Sequence, residues 1–364
     1  MSNSTFGMVF TKSGVPMDRQ EFNFPDLKQG ELLVKIKYAT ICGSDLHTYQ
    51  GFRQTPVPTI LGHEIIGEIA EFPTGDVLQD YYGNNLKLGD RITWSIAASC
   101  GECHYCKIGV SQKCVNLFKY GHEKISDEHP LSGGYAEYCH LAKGTTIVKI
   151  SDQLPNKVIG PANCATATTA AAFRVGGDCA GKVVIIQGSG MLGLTACAMA
   201  SSLGARKVIA LDIDKDRLVL ASKFGATETI LIEGDNADVI NKIKNITDAY
   251  MGDLIIEMSG ISKSVELGLN LLSIGGHIVF VGSVFTQPDV QINPESIVRG
   301  VFNIHGMHNY IPEDLATGIT FLENNHKIYP FEKLVSSEFQ LQDVEAAFQH
   351  SIATKAFRVA IKTD

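Results

Sequence analysis

The stretch Val183-Val-Ile-Ile-Gln-Gly-Ser-Gly-Met-Leu-Gly193 decides how this chain folds. A near-continuous apolar run enters three glycines, Gly188, Gly190 and Gly193, and Met191 to Leu203 continues as a mostly apolar segment of helical character. That is the pattern of a strand, a tight turn and a helix N-terminus. A second β-rich run, Lys207-Val-Ile-Ala-Leu-Asp212, follows and ends on a carboxylate 19 residues after Gly193. Glycines at this spacing are a weak signal alone and a strong one when a strand, a helix, a second strand and an acid bracket them. Gly188 permits the turn, Gly190 lets a pyrophosphate approach the backbone, and Gly193 lets the helix sit close on the sheet. Free N–H groups and the positive end of the helix dipole would then face the phosphates. Asp212 stands where a carboxylate can accept both hydroxyls of an adenosine ribose and repel a 2′-phosphate, so the expected cofactor is NAD rather than NADP.

The totals fit a soluble globular protein. The 364 residues suffice for two domains, each with its own core. At 45% hydrophobic and 19% charged, the composition is that of an ordinary globular protein. A net charge of −8 with no basic stripe argues against a nucleic-acid partner. Met1-Ser-Asn-Ser-Thr-Phe-Gly7 has neither the basic nor the apolar region of a signal peptide, and no apolar run reaches the ~18 residues of a membrane span. A cytoplasmic location is expected, and there the nine cysteines point to metal ligands or buried thiols rather than disulfides.

Outward from the glycine turn, the composition changes twice. Strand-like runs such as Leu32-Leu-Val-Lys-Ile-Lys-Tyr38, Ile65-Ile-Gly-Glu-Ile-Ala70, Gly89-Asp-Arg-Ile-Thr-Trp94, Gly133-Gly-Tyr-Ala-Glu-Tyr138 and Thr146-Ile-Val-Lys-Ile150 make the first part mostly β. An alanine- and threonine-rich helical stretch, Ala162 to Arg174, then leads into strand–helix alternation from 182 to about 290. Leu254-Ile-Ile-Glu-Met258 and His277-Ile-Val-Phe-Val281 are later strands of that unit. The tail from about 300 is mixed and ends on Phe357-Arg-Val-Ala-Ile-Lys362. The expected fold is α/β, a doubly wound dinucleotide-binding domain flanked by a β-rich one. The apolar run His277 to Phe285 is expected at a sheet edge, pairing across a two-fold in a homodimer or homotetramer.

Two constellations could hold metal. Cys100, Cys103, Cys106 and Cys114 form C-x2-C-x2-C-x7-C beside Gly101 and Gly109. Four thiolates so close suit a closed, structural zinc site; an iron–sulfur cluster or a set of reduced thiols are the alternatives. Cys42-Gly-Ser-Asp-Leu-His47 and Gly62-His-Glu64 lie in loops after strand-like runs. Singly, such a cysteine or histidine is more often a core residue. A catalytic zinc needs about three protein ligands and an open position; Cys42 and His63 can supply two, and Cys164 the third if the domains fold around a shared cleft. The remaining thiols, Cys139, Cys179 and Cys197, suit a packed core.

Taken together, these motifs resemble the zinc-dependent medium-chain alcohol dehydrogenase family over essentially the whole chain. The resemblance rests on Cys42 to His47, Gly62-His-Glu64, Gly89-Asp-Arg91, the four-cysteine run, Gly133-Gly-Tyr-Ala-Glu137, the glycine turn and Asp212. It implies a GroES-like catalytic domain over 1–155, with 300–364 returning to it, and a Rossmann domain over 156–299. It implies one catalytic zinc on Cys42, His63 and Cys164, one structural zinc on Cys100, Cys103, Cys106 and Cys114, and NAD as cofactor. Ser44 and His47 match the family's proton relay, Asp45 a carboxylate that steadies the histidine ligand, and Glu64 the glutamate behind the metal. Thr168 matches a threonine packed on the nicotinamide, and Arg358 a contact to the cofactor phosphates. Gly188, Gly190, Met191, Leu192, Gly193, Asp212, Arg217 and Gly282 complete the cofactor-binding positions. Two departures stand out. Many polyol-oxidising relatives have glutamate where this chain has Cys164, and Gly43 replaces an arginine that some members use on the pyrophosphate.

A narrower resemblance, to the subgroup linked to phosphonate catabolism, is carried by Lys119-Tyr-Gly-His-Glu123, Asn163-Cys-Ala-Thr-Ala-Thr168, Gly282-Ser-Val-Phe285 and Gly306-Met-His-Asn-Tyr310. It implies a hydroxyalkylphosphonate substrate. Arg53, Lys119, His122 and His308 could offer positive charge to its head or serve as surface or core residues, and His122 reads as a cleft-lining or structural residue, since the zinc already has three candidates. The expected activity is hydride transfer between a small alcohol, such as a hydroxyalkylphosphonate or a polyol, and NAD. The rivals are a zinc-free quinone or enone reductase of the same superfamily and a non-catalytic binding protein on this fold. Retention of Ser44 and His47 argues against the last.

Overall fold

The computed structural model describes residues 4–363, and the chain separates into two units. One comprises the chain up to Ala167, Ile311–His326 and everything from Phe331 on; the other comprises Thr168–Tyr310 and Lys327–Pro330.

The second unit is built on six strands in the order Glu228–Leu231, Lys207–Asp212, Val183–Gln187, Gly252–Glu257, Leu272–Phe280, Asn303–Gly306. Every neighbouring pair runs parallel. This is the 3-2-1-4-5-6 order of a doubly wound sheet, whose direction of winding reverses beside the first strand. Val183–Gln187 is buried along its whole length, as a central parallel strand covered on both faces must be. Ile185, Ile209, Ile255 and Ile278 lie within one core cluster of this unit. The glycine turn is sterically compelled. Gly188 has φ +92°, and a Cβ on Gly193 would come within 1.8 Å of the Gly188 carbonyl oxygen. The helix Met191–Ser202 follows directly.

One expectation is corrected here. Leu272–Phe280 is interior to the sheet, and the edge strand is Asn303–Gly306. Its four residues, Asn-Ile-His-Gly, are too short and too polar to declare themselves by alternation, and only parallel pairing with His277–Phe280 makes them a strand. This unit runs on to Tyr310.

The first unit carries a largely antiparallel sheet along the path Val335–Gln340, Arg358–Lys362, Leu32–Thr40, Glu64–Glu71, Arg91–Ala98, Phe118–Lys119. Tyr138–Leu141 pairs with Leu32–Lys35, and Thr145–Lys149 with the Arg91–Ala98 strand. Trp94, Tyr120, Tyr135 and Phe348 belong to its core. Gly133 to Glu137, expected as strand, is mostly bend, with a single bridge at Ala136. There a Cβ on Gly133 would lie 1.9 Å from the Ile60 carbonyl oxygen, so the segment crosses another backbone closely instead of laddering with it. The alanine-rich stretch opens as a π-helix, Ala162–Thr166, and only then becomes the α-helix Ala167–Gly176. No helix among the described residues is long and apolar enough to cross a membrane.

Candidate metal centres and nucleotide turn

Cys100, Cys103, Cys106 and Cys114 bring four sulfurs within 4.8 Å of one another. The nearest approaches are 3.4 Å between Cys114 and Cys100 and 3.5 Å between Cys103 and Cys106. Backbone N–H groups of Cys100 and Asn116 point at the Cys114 sulfur, and that of Cys103 at the Cys100 sulfur. N–H donation favours thiolate over thiol. Bonding from the backbone at Cys106 and Val115 pulls Cys103 down to about 6, whereas burial and its sulfur neighbours push Cys106 up to about 12. Four converging sulfurs with N–H donors behind them form a shell that a tetrahedral zinc fits, with no place left for water.

The second cluster is assembled from three separate parts of the chain. Cys42 precedes the short helix Gly43–Tyr49, His63 immediately precedes the strand that Glu64 opens, and Cys164 sits in the π-helix. Their ligand atoms also lie within 4.8 Å of one another, this time in the interior. Asp45 holds the group in place. One carboxylate oxygen accepts from the Cys42 backbone N–H at 2.9 Å and from the Tyr135 hydroxyl at 3.2 Å, and the other from His63 Nδ1 at 3.2 Å. That bond commits Nδ1–H to the carboxylate and leaves Nε2 for a metal. Burial would lower the imidazole, but Asp45 and Cys42 outweigh it and hold His63 up at about 10 without an ion. Cys42 is pulled well down, first by the hydrogen bond from Cys164, and Cys164 is pushed well up by the same bond. A metal bound here would displace any thiol proton from the two sulfurs. Two sulfurs and an oriented imidazole suit zinc.

Glu64 is fully buried. Burial lifts its carboxyl to about 7 against the pull of Arg358. Arg358 Nε and Nη2 donate to its two oxygens at 2.7 and 2.6 Å, and the Thr40 hydroxyl donates to one of them. Arg358 Nη2 also reaches the Cys42 sulfur at 3.4 Å, and Nη1 donates to the Phe357 carbonyl at 2.7 Å. With 4% of its surface exposed and all three nitrogens engaged, Arg358 stands against the metal cluster. The cause is topological. Its strand pairs with Leu32–Thr40, which runs directly towards Cys42.

Ser44 and His47 lie in the helix after Cys42, both half-buried. Burial lowers the His47 imidazole, although the Cys42 charge pulls the other way. The His122 ring stacks on that of His63 with centroids 5.4 Å apart. Lys119 is held down at about 8, by burial first and then by Arg53.

In the other unit, Gly190 begins the helix Met191–Ser202 without a side-chain cap, and a Cβ there would meet nothing within 4 Å. The buried Ser189 hydroxyl has no partner among the described residues. The turn therefore offers uncapped N–H groups and an open backbone face, as a bound pyrophosphate requires. Asp212, at the end of the neighbouring strand, accepts from the Ser189 backbone N–H and, at 2.9 Å, from that of Asp214. Arg217, in the following helix, lies with Nε 3.9 Å from Asp214. Met191 is buried and Leu192 half-buried in the first helical turn, and Thr168 is half-buried in the helix Ala167–Gly176. Gly282 follows the strand Leu272–Phe280, its N–H bonded to the Glu257 carbonyl at 3.0 Å.

Sequence reading missed Thr40, Tyr135 and Asn163. Asn163 precedes Cys164 and donates at 2.9 Å both to the His63 carbonyl and to the Trp94 carbonyl. Its position next to a candidate ligand was the one available signal.

Residues 28–152 match the alcohol dehydrogenase GroES-like domain family, and residues 192–324 match the zinc-binding dehydrogenase family. A sorbitol dehydrogenase of Halalkalibacterium halodurans is 28% identical over 352 residues, covering 94% of each chain. An L-threonine 3-dehydrogenase of Shewanella putrefaciens is 31% identical over 265 residues, 71% of each chain. The solved structure of an alcohol dehydrogenase from Thermotoga maritima superposes with a TM-score of 0.93 at 30% identity, covering all of both chains.

Proposed function

Because this chain belongs to the zinc-dependent medium-chain alcohol dehydrogenase family, we propose that it interconverts a small alcohol and its carbonyl with NAD. The observation that carries this reading is the buried convergence of Cys42, His63 and Cys164, with His63 fixed by Asp45. A zinc ion on those residues supplies Lewis-acid polarisation of the substrate oxygen, and NAD supplies the hydride acceptor. The chain's own groups do the rest. Cys42 and Cys164 are thiolate ligands, and Asp45 keeps His63 in the one tautomer that presents Nε2 outward. Arg358 and Thr40 hold Glu64 behind the cluster. Ser44 accepts the substrate's hydroxyl proton, and His47, kept neutral by burial, receives it and passes it to solvent. Gly188, Gly190 and the helix behind them bind the pyrophosphate, aided by the N–H groups of Met191, Leu192 and Gly193. Asp212 takes the ribose hydroxyls with Arg217 beside it, while Thr168 and Gly282 support the nicotinamide. The four-cysteine lobe holds a structural zinc.

The finer proposal is an alcohol bearing a compact anionic head, such as a hydroxyalkylphosphonate. The support is electrostatic. A zinc ion offsets the Cys42 and Cys164 thiolates, Arg358 offsets Glu64, and Asp45 pairs with His63. Arg53 and Lys119 make no side-chain bond to a carboxylate among the described residues, and His122 Nδ1 is buried without a partner. These are unspent donors in a chain of net charge −8. Cytoplasmic location and a homodimer or homotetramer complete the proposal; nine cysteines without a disulfide suit a reducing compartment.

The test is metal analysis together with NAD reduction on a panel holding 2-hydroxyethylphosphonate, simple alcohols and polyols. Two zinc ions per chain and NAD-dependent oxidation of at least one panel member are expected. A metal-free chain that reduces quinones or enones instead would overturn the reading.

A further inference from the structure

Asn163 is neither a candidate ligand nor a proton carrier, yet it is wholly buried beside the metal cluster. Its single Nδ2 joins three stretches that lie far apart in sequence. These are the loop ending in His63, the strand Arg91–Ala98 through Trp94, and the π-helix that carries Cys164. Two of the three deliver metal ligands. A π-turn is an uncommon backbone form found chiefly at functional sites, and it persists where its surroundings over-determine it. Here Cys164 N–H and Ala165 N–H both donate to the Pro161 carbonyl, at 3.3 and 2.8 Å, and the Asn163 amide anchors the same turn to the opposite wall.

We propose that Asn163 is a positioning residue for the catalytic metal, its amide fixing the separation between His63 and Cys164. This rests on the reading of Cys42, His63 and Cys164 as the catalytic zinc site. Two carbonyl oxygens are met by the two N–H bonds of one planar NH₂ group, and among side chains of this length only asparagine has such a group. Aspartate would set oxygen against both carbonyls. Leucine would fill the space and leave a buried carbonyl without its donor, which is costly in the interior. The four-cysteine lobe needs no such strut, because its ligands all come from one short run of chain.

The two centres make the test internally controlled. Zinc release from wild type, Asn163→Asp and Asn163→Leu to a chromogenic chelator is followed on the full-length enzyme, alongside cobalt-substituted samples read by their sulfur-to-metal charge-transfer bands. Replacing a group that orients metal ligands costs about 10–100-fold in metal affinity. One of the two ions is therefore expected to leave about 10–100-fold faster in the variants, with a shifted cobalt spectrum, while the other leaves at the wild-type rate. Should neither variant fold, Asn163→Ala, which leaves room for a water at the two carbonyls, is expected to show the same asymmetry in milder form. Two ions released at wild-type rates with unshifted bands in a folded variant would overturn the role of Asn163. A wild-type chain that binds only the lobe's ion would instead overturn the catalytic metal centre itself.

Discussion

The two sulfur clusters of this protein use the same atoms and are built in opposite ways. Cys100, Cys103, Cys106 and Cys114 come from one stretch of loop and two short helical turns, and their supporting donors are backbone N–H groups of the same stretch. Cys42, His63 and Cys164 come from three distant segments, supported by the side chains of Asp45, Tyr135, Thr40, Arg358 and Asn163. The local cluster closes a small loop and offers four sulfurs and no other ligand type, which suits a structural ion. The dispersed one costs more chain entropy to assemble. It gains a mixed ligand set, a fixed tautomer and buried acids and bases, which are what chemistry needs.

The largest expected difference follows from removing one sulfur at each centre. Cys42→Ser should lower NAD-dependent alcohol oxidation by more than about 100-fold, beyond the range for groups that only orient a ligand, while NADH binding measured by fluorescence is retained. Cys114→Ser should act through stability. A fall of several degrees in Tm is expected, about 2–4 °C per kcal/mol for a unit of roughly 200 residues, with kcat of the folded fraction within about twofold of wild type. Loss of kcat in Cys114→Ser without loss of stability would break the division between the two centres.

Next in size is the replacement of a support. Asp45→Asn removes the carboxylate that accepts from His63 Nδ1, Tyr135 and the Cys42 backbone. Catalytic zinc should bind about 10–100-fold more weakly, measured by metal titration, with the lobe unaffected. Equal weakening at both sites would mean that Asp45 supports the whole unit and not the metal.

The same contrast explains what could be read from the sequence. The lobe was legible because its four sulfurs share one run of chain. The glycine turn was legible because a strand, a helix and an acid surround it within about 30 residues. At the dispersed centre the residues offered Cys42, His63 and Cys164 as candidates, the family resemblance fixed the set and added Asp45, and the supports Thr40, Tyr135 and Asn163 were invisible. Arg358 and Glu64 are 294 residues apart, and no local pattern marks them as partners. The edge strand Asn303–Gly306 failed for a related reason, since four mixed residues become a strand only through the neighbour they pair with. Asn163 had a local clue, but the π-turn that brings it to His63 has no sequence signature.

In the nucleotide unit the expected effect is smaller, because the proposed role of Asp212 is to choose between cofactors and not to bind the pyrophosphate. Asp212→Ala removes a charged acceptor from the ribose and the repulsion of a 2′-phosphate. Hydrogen bonds to charged groups contribute ~1.5–3 kcal/mol, so the ratio of kcat/KM for NAD over NADP should fall by about tenfold or more. An unchanged ratio would place cofactor choice elsewhere. The backbone N–H groups of Ser189 and Asp214 also lose their acceptor in this variant. Asp212→Asn separates the two effects, since it keeps an acceptor oxygen and removes the charge.

The smallest expected effect concerns the cations beside the dispersed centre, and its sign is fixed by Lys119. Burial and Arg53 depress this ammonium to about 8, so it is charged below that pH and loses its proton above it. If it meets an anionic head group, KM for 2-hydroxyethylphosphonate should rise by about three- to tenfold as pH climbs past about 8, in line with ~1 kcal/mol for one hydrogen bond. KM for a neutral alcohol of similar length should not follow it. A bound anion stabilises the charged form, so the midpoint should move upward at saturating phosphonate, and kcat should be less pH-sensitive than kcat/KM in this range. Lys119→Met should flatten the rise and raise KM for the anionic substrate at pH 7 by a similar factor. If the anionic and neutral substrates shift in parallel in both wild type and Lys119→Met, then Lys119 answers to the metal-ligand thiolates and not to the substrate, and the dispersed centre has no anion subsite at its side.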